Sequence, residues 1–417
     1  MCTAIFPLYI DPGTGSMLVS VFIGAATTFF FLAKAVWLKI QVLLSGRKAP
    51  DTQKTARRKY VIYCEGKQYW NCFKPVLDAF EKRGVMIDYL TSAKDDPVFE
   101  SGYKFVRSEF IGEGNTAFAR LNMLRADIVL MTTPALDVYQ LKRSRQVKHY
   151  AHIRHGTGDA TMYRMFGLDY FDSVLLTGDY QKEDIRTLEK MRGIKEKELV
   201  TVGCTYLDVL YERMRQLPDE ENHQFTVLLS PSWGPSAILS RYGEKLIAPL
   251  LETGWLIIIR PHPQSGKSER AMLERLYKRY KDAPNLEWDF KHDNIHALKR
   301  ADIMISDFSS VIYDYTFMCD KPVIYVNADL DLRIYDAGCL TQKKLWQFST
   351  LEKIGIQLKE EQFKNIKEII QSASDSKELS LARAKAKSEA WANIGHAGEK
   401  TADFLIAKEA EFAEEEN

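Results

Sequence analysis

The sequence predicts an α/β protein: two successive doubly wound parallel sheets facing one another, behind an amino-terminal helix long enough to span a bilayer. Three observations predict it. Short apolar runs alternate with helical patterns, as in β-α-β units around a parallel sheet. The series starts twice, on either side of a polar stretch at residues 218–224. A charge-free apolar stretch at residues 17–33 stands apart from both series. The expected organisation is a segment with a membrane anchor (1–45), a first α/β domain (46–215), a second (216–376), and a helix that packs back before an acidic tail (377–417).

The whole-chain arithmetic agrees with this division. A chain of 417 residues exceeds one ordinary core. Hydrophobic residues at 46% and charged residues at 27% match a globular chain and exclude wholesale disorder. Lys plus Arg number 57 against 56 Asp plus Glu, so no global field attracts nucleic acid, and any anion site must be built locally. The six cysteines (Cys2, Cys64, Cys72, Cys204, Cys319, Cys339) lie far apart without a C-x-x-C pair, which points away from zinc and disulfides and toward a reducing compartment.

The apolar stretch comes first. Residues 1–16 carry no Lys or Arg, whereas Lys34, Lys39, Arg47, Lys48, Lys54, Arg57, Arg58 and Lys59 follow it. A secretory signal places its charges ahead of the apolar run, so the stretch reads as a retained anchor. The positive-inside rule then puts the body in the cytoplasm. A buried core helix, or a re-entrant hairpin continuing through residues 41–44, fits the same run.

In the first series, residues 60–64, 85–90, 126–132, 147–153 and 174–177 read as strands, with helices at 73–82 and 180–191. In the second, 225–230, 255–260, 302–306 and 322–326 read as strands, with helices at 240–252, 268–280 and 311–318. Ligands of such sheets bind at the carboxyl ends of the strands.

Three constellations sit at predicted strand ends. Arg154-His155-Gly156-Thr157-Gly158-Asp159 follows the strand ending at Ile153, where His155 suits a general base that Asp159 or another carboxylate could orient. Its plainer reading is a loop histidine bonded to backbone. Arg260-Pro261-His262-Pro263 follows an apolar strand, and its two prolines stiffen a turn holding a cation beside an imidazole, a pair suited to a phosphate gaining charge. A rigid structural turn is the alternative. Asp307-Phe308-Ser309-Ser310 precedes a helix with Asp314 one turn in, an arrangement that binds anions through backbone N–H groups and hydroxyls, or simply caps the helix.

Together the two histidines and the phosphate cradle describe transfer across an interdomain cleft, with a nucleotide diphosphate in the second half. No metal cluster is expected: His292 and His296 have i, i+4 spacing but lack the adjacent Glu of H-E-x-x-H. Gly266-Lys267-Ser268 ends like a Walker loop without its first glycine, and G-x-S-x-G and G-x-G-x-x-G are absent. His149 and His152 read as structural or solvent-facing.

These residues resemble the CDP-glycerol glycerophosphotransferase family, the primases and polymerases of teichoic-acid synthesis. The resemblance spans about residues 58–405 and is sharpest at His155-Gly156-Thr157, at Arg260-Pro261-His262-Pro263, and at Ile305-Ser306-Asp307-Phe308-Ser309-Ser310-Val311-Ile312-Tyr313-Asp314. It implies a GT-B fold, a CDP-linked polyol phosphate donor, metal-independent transfer without a cofactor, and a polyprenyl-linked acceptor at the cytoplasmic membrane. It also implies roles. His155 resembles the base for the acceptor hydroxyl and His262 the group stabilising the phosphate under attack. Arg260, Asp307, Ser309, Ser310 and Asp314 fall on the donor side, and Gly156, Thr157 and Asp159 on the acceptor-side loop. Where the family commonly continues Pro-Leu-Lys after His155-Gly156-Thr157, this chain has Gly158-Asp159-Ala160. The alternatives are a GT-B glycosyltransferase or UDP-sugar 2-epimerase-like enzyme using a UDP-sugar, and a membrane-tethered binding module without catalysis.

Overall fold

Alternating side chains along the strands settle the architecture. In β1 (Arg58–Cys64), Tyr60, Ile62 and Cys64 pack on Phe73, Leu77 and Phe80 of the helix Trp70–Arg83. The intervening Val61 and Tyr63 join a separate core containing Leu121, Leu176 and Ile185. A strand covered on both faces belongs to the interior of a parallel sheet. The same division recurs in β8 (Thr226–Leu229): Val227 and Leu229 meet Leu246, Ile247 and Leu250, while Leu228 faces Leu207 and Met304.

The computed structural model describes residues 57–219, 223–291, 293–326, 330–340 and 343–415. The predicted anchor and His292 lie outside these residues. Among the described residues, no helix is long and apolar enough to cross a membrane.

The first sheet adds β2 (Ile87–Thr91), β3 (Val106–Phe110), β4 (Ala126–Met131), β5 (Val147–Ile153), β6 (Ser173–Leu176) and β7 (Glu198–Thr201), in the order β3-β2-β1-β4-β5-β6-β7. The second adds β9 (Leu256–Ile259), β10 (Leu286–Trp288), β11 (Ile303–Ser306), β12 (Val323–Tyr325) and β13 (Gly355–Gln357), in the order β10-β9-β8-β11-β12-β13. Every pairing is parallel, for example Tyr63↔Met131 and Leu229↔Ile305. Both sheets therefore reverse direction between their first and fourth strands, β1/β4 and β8/β11, and open a crevice there. Two Rossmann-like sheets are present as expected. The expectation of an ordinary strand at each apolar run missed β3, β7, β10 and β13, which are the four sheet edges.

The carboxyl-terminal helices divide between the halves. The helix Lys377–Ala390 packs on the second, where the Arg383 guanidinium meets Asp320 at 3.1 Å. The helix Ala397–Glu415 crosses back onto Trp70–Arg83, with Lys82 and Glu399 paired at 3.0 Å. Glycines let the chain pass: a Cβ on Gly178 would sit 2.0 Å from the Glu389 carbonyl, and one on Gly203 (φ +103°) 2.2 Å from that of Ala392. Trp391 fills the crossing. It is 1% exposed, its ring stands at 87° to Tyr211, and its Nε1–H donates to Asp208 at 2.8 Å. Trp391→Ala should cost about 3–5 kcal/mol of stability, the usual range for an emptied aromatic site. A denaturant midpoint unchanged from wild type would show that the crossing is not anchored there.

Candidate active site

The carboxyl ends of both sheets converge on one cavity of about 610 Å³. Tyr69, His155, Gly156, Asp159 and Tyr163 line it from the first half. Ser232, His262, Ser309, Ser310, Asp314 and Gln347 line it from the second. Thus His155 and His262, 107 positions apart in the sequence, face one cavity from opposite walls because β5 and β9 end at the same cleft.

His155 is held from behind. Its Nδ1 lies 2.8 Å from Thr132 Oγ1 at the end of β4 and 3.4 Å from the Tyr163 hydroxyl. Tyr69 flanks the ring at 5.3 Å between centroids. Among the described residues no carboxylate touches it, and the group at its Nδ1 is a threonine hydroxyl where Asp159 was expected. Burial, with the Arg154 guanidinium adding to it, lowers the imidazole to about 4. At neutral pH the ring is an uncharged proton acceptor.

The loop carrying His155 is rigid. Arg154 is buried under it, donating from Nη2 to the carbonyls of Gly158 at 3.1 Å and Asp159 at 3.2 Å while its guanidinium lies 4.6 Å from the Tyr163 ring centre. The Tyr180 hydroxyl donates to the Thr157 carbonyl, and the Gln181 amide to that of Gly158 at 2.8 Å. Thr157 itself is 1% exposed and stands behind the wall rather than on it. Asp159 turns away from His155 toward the second half, accepting from the Gln347 N–H at 2.8 Å. Burial raises its carboxyl to about 6, against the lowering effect of that bond.

On the opposite wall, His262 Nδ1 accepts from the Gln264 N–H at 3.1 Å. In the neutral ring this bond places the proton on Nε2, leaving a donor for the cavity. Burial lowers its pKa, while Glu269 opposes the shift. Trp233, nearly half exposed, lies 6.4 Å away between ring centres. Ser309 and Ser310 follow β11 and open the helix Val311–Cys319, where the N–H groups of Ile312 and Tyr313 donate to the Ser309 and Ser310 carbonyls at 3.3 and 3.0 Å and the two hydroxyl side chains line the cavity at the positive end of the helix dipole.

Two residues expected on the donor side serve the scaffold instead. Arg260 pairs with Asp289 at 2.5 Å and donates to the Lys291 carbonyl at 2.9 Å, off the cavity wall. Its guanidinium is engaged in holding β9 to the segment after β10. Asp307 accepts from the N–H groups of Ser232 at 2.9 Å and Ile238 at 3.0 Å, so the carboxylate shapes the loop after β8 rather than facing a phosphate. Asp314 does line the cavity. Burial alone pushes its carboxyl up to about 7.

Residues 113–340 match the model of the CDP-glycerol:poly(glycerophosphate) glycerophosphotransferase family, which is more than half of the 417 positions and includes every residue of the three strand-end motifs. The chain belongs to this family. Teichoic acid glycerol-phosphate primase of Bacillus subtilis (strain 168) is 24% identical over 172 residues, covering 39% of this chain and 43% of the primase. The chain thus spans under half the length of that curated relative. In fold it is similar to the wall teichoic acid polymerase TagF soaked with CDPG, at 13% identity over 87% of this chain and 92% of that one, with a TM-score of 0.52. It is likewise similar to UDP-GlcNAc 2-epimerase of Methanocaldococcus jannaschii, at 14% identity over 84% and 99% of the two chains, with a TM-score of 0.55. Both shared folds are of the GT-B type.

Thr132, Tyr163, Tyr69 and Gln347 went unnoticed in the sequence. Thr132 closes an apolar strand, and the other three carry no motif; only the pairing of β4 with β5 brings Thr132 to His155.

The Asp314 carboxyl gives a pH prediction. Its folded pKa lies above the unfolded value, so the folded state binds the proton more tightly, and stability falls as pH rises from about 4 toward 7. Asp314→Asn should therefore raise the melting temperature relative to wild type at pH 8 and lose that advantage at pH 4. A difference independent of pH would show that Asp314 is not titrating there.

Proposed function

We propose that the protein transfers glycerol phosphate from CDP-glycerol to a hydroxyl of a membrane-lipid-linked acceptor, releasing CMP, in the synthesis of a teichoic-acid-like envelope polymer. We place the catalytic body at the cytoplasmic face of the membrane, where the basic residues after the apolar stretch would hold it. Family membership supports the donor. The observation that carries the reaction is the pair of imidazoles from opposite halves on one cavity, one an acceptor of protons and the other a donor of a hydrogen bond.

The diphosphate of the donor would lie at the start of the helix Val311–Cys319, where the Ser309 and Ser310 hydroxyls line the cavity and the helix dipole favours negative charge. The acceptor hydroxyl enters beside His155. For Nε2 to act as base, the ring must carry its proton on Nδ1, and Thr132 Oγ1 accepts that N–H at 2.8 Å. Nε2 then takes the hydroxyl proton as the oxygen attacks the phosphorus bearing glycerol. A new P–O bond forms, the bond from that phosphorus to the bridging oxygen breaks, and its electron pair leaves with CMP. His262 Nε2–H faces the oxygen that receives this charge. Positioning and electrostatics supply most of the rate in such displacements.

Detergent-solubilised protein, given CDP-glycerol, CDP-ribitol or UDP-sugars with a polyprenyl-linked acceptor, should release CMP only from a CDP donor and only with acceptor. His155→Ala and His262→Ala should each lower release by about 100-fold or more, and Thr132→Val by about 10-fold through loss of the Nδ1 partner. UDP release would assign the protein to the sugar enzymes. Nucleotide binding without turnover would leave a binding module.

A further inference from the structure

Between the two halves run polar contacts that the transfer reaction itself does not use. The turns Leu332–Ile334 and Asp336–Cys339 of the second half lie against residues 163–169 of the first. Asp336, 2% exposed, accepts from the N–H groups of Phe166 at 2.7 Å and Gly167 at 3.2 Å. Its own N–H donates to the Tyr163 carbonyl at 2.9 Å. Arg192 of the first half bridges Asp336 and Asp169, each at 2.6 Å. Phe166 is held at φ +66°, a left-handed conformation that a side chain resists and that these bonds maintain. Tyr163 in turn reaches Nδ1 of His155.

A second contact stands on the other side of the same loop. Asp159 accepts from the Gln347 N–H at 2.8 Å, in the first turn of the helix Trp346–Ile354, and returns its own N–H to Gln347 Oε1 at 3.3 Å. A first-half carboxylate therefore caps a second-half helix. Tyr313, on the helix that opens with the donor hydroxyls, donates its hydroxyl to the Gln347 carbonyl. The chain of contacts runs from donor wall to Gln347 to Asp159, four residues beyond His155.

We propose that Asp336 and Asp159 are positioning residues: from either side they tie the His155 loop to the donor half, so that the base is aimed at the donor phosphate before any substrate binds. The proposal rests on the transferase reading. It assigns Asp159 a role outside the acceptor site, because its carboxylate points across the cleft and touches neither histidine. Reaction geometry is then set by the folded protein, and misplacing a catalytic group by about 1 Å can cost on the order of 100-fold.

The test uses the full chain in detergent, with CDP-glycerol as donor and a short-chain polyprenyl diphosphate saccharide as acceptor. Asp159→Ala should lower kcat for CMP release by about 10- to 100-fold. Affinity for CDP-glycerol measured by calorimetry should stay within about 2-fold, the signature of lost positioning rather than lost binding. Asp159→Asn keeps an oxygen for the Gln347 N–H and should recover most of kcat. Asp336→Ala should behave like Asp159→Ala; if stranding Arg192 prevents its folding, the Asp159 pair decides. Wild-type kcat in folded Asp159→Ala overturns the proposal, and so does a loss that Asp159→Asn fails to recover, since the carboxylate would then act chemically. Failure of the transferase reading looks different, with no CMP released by wild type. The tie is then judged by hydrogen exchange: amides of Gly156, Thr157, Phe166 and Gly167 should exchange faster in Asp159→Ala, and unchanged rates sink it.

Discussion

The displacement at phosphorus proposed above would need its base and its charge-stabilising group at fixed opposite ends of one line, and the two histidines that face the cavity come from different sheets. The spacing between those sheets is the constraint on which the site depends. Apolar packing alone sets it loosely, because it is non-directional. Directional bonds across the cleft, Asp159 with Gln347 and Asp336 with Phe166, Gly167 and Arg192, add fixed lengths and angles to it. Each is buried, where a polar group left without its partner is costly.

The same burial shapes the chemistry. His155 is desolvated and lies near a cation, which keeps it neutral. Asp314 is desolvated with no cation to oppose the shift, which drives its carboxyl toward the proton. Burial thus favours the neutral form of this group on the wall a diphosphate would meet. In the proposed reaction the groups offered to the phosphate there are neutral, the hydroxyls of Ser309 and Ser310.

How much of this was legible in the sequence follows from burial. An interior strand such as β9 is covered on both faces and appears as an unbroken apolar run whose end marks His262, whereas β5, equally interior, carries Lys148, His149 and His152 among its apolar residues and is legible mainly by its ending at Ile153. Edge strands such as β3, with Arg107 and Ser108 exposed to water and Glu109 half-buried, have no such signature. The motifs located the cavity walls because strand ends are where parallel sheets place ligands. They failed on partners. Arg260 next to His262 looked like a phosphate ligand until Asp289 was found beside it, and the orienting group of His155 proved to be Thr132, a residue that any β-strand accommodates. Sequence reports which residues lie near one another along the chain; who binds whom across the sheet is decided by register.

The chain passes between the halves twice, before the helix Thr205–Gln216 and again at Trp391, and Asp208 stitches the two passages together by bonding Trp391 Nε1 and the Ala397 N–H. A joint made of one strand of chain can swivel in any direction. One made of two strands fastened side by side retains a single axis, as a door does on two pins. In the proposed transfer, such an axis would keep the two histidines facing one another through any opening of the cleft.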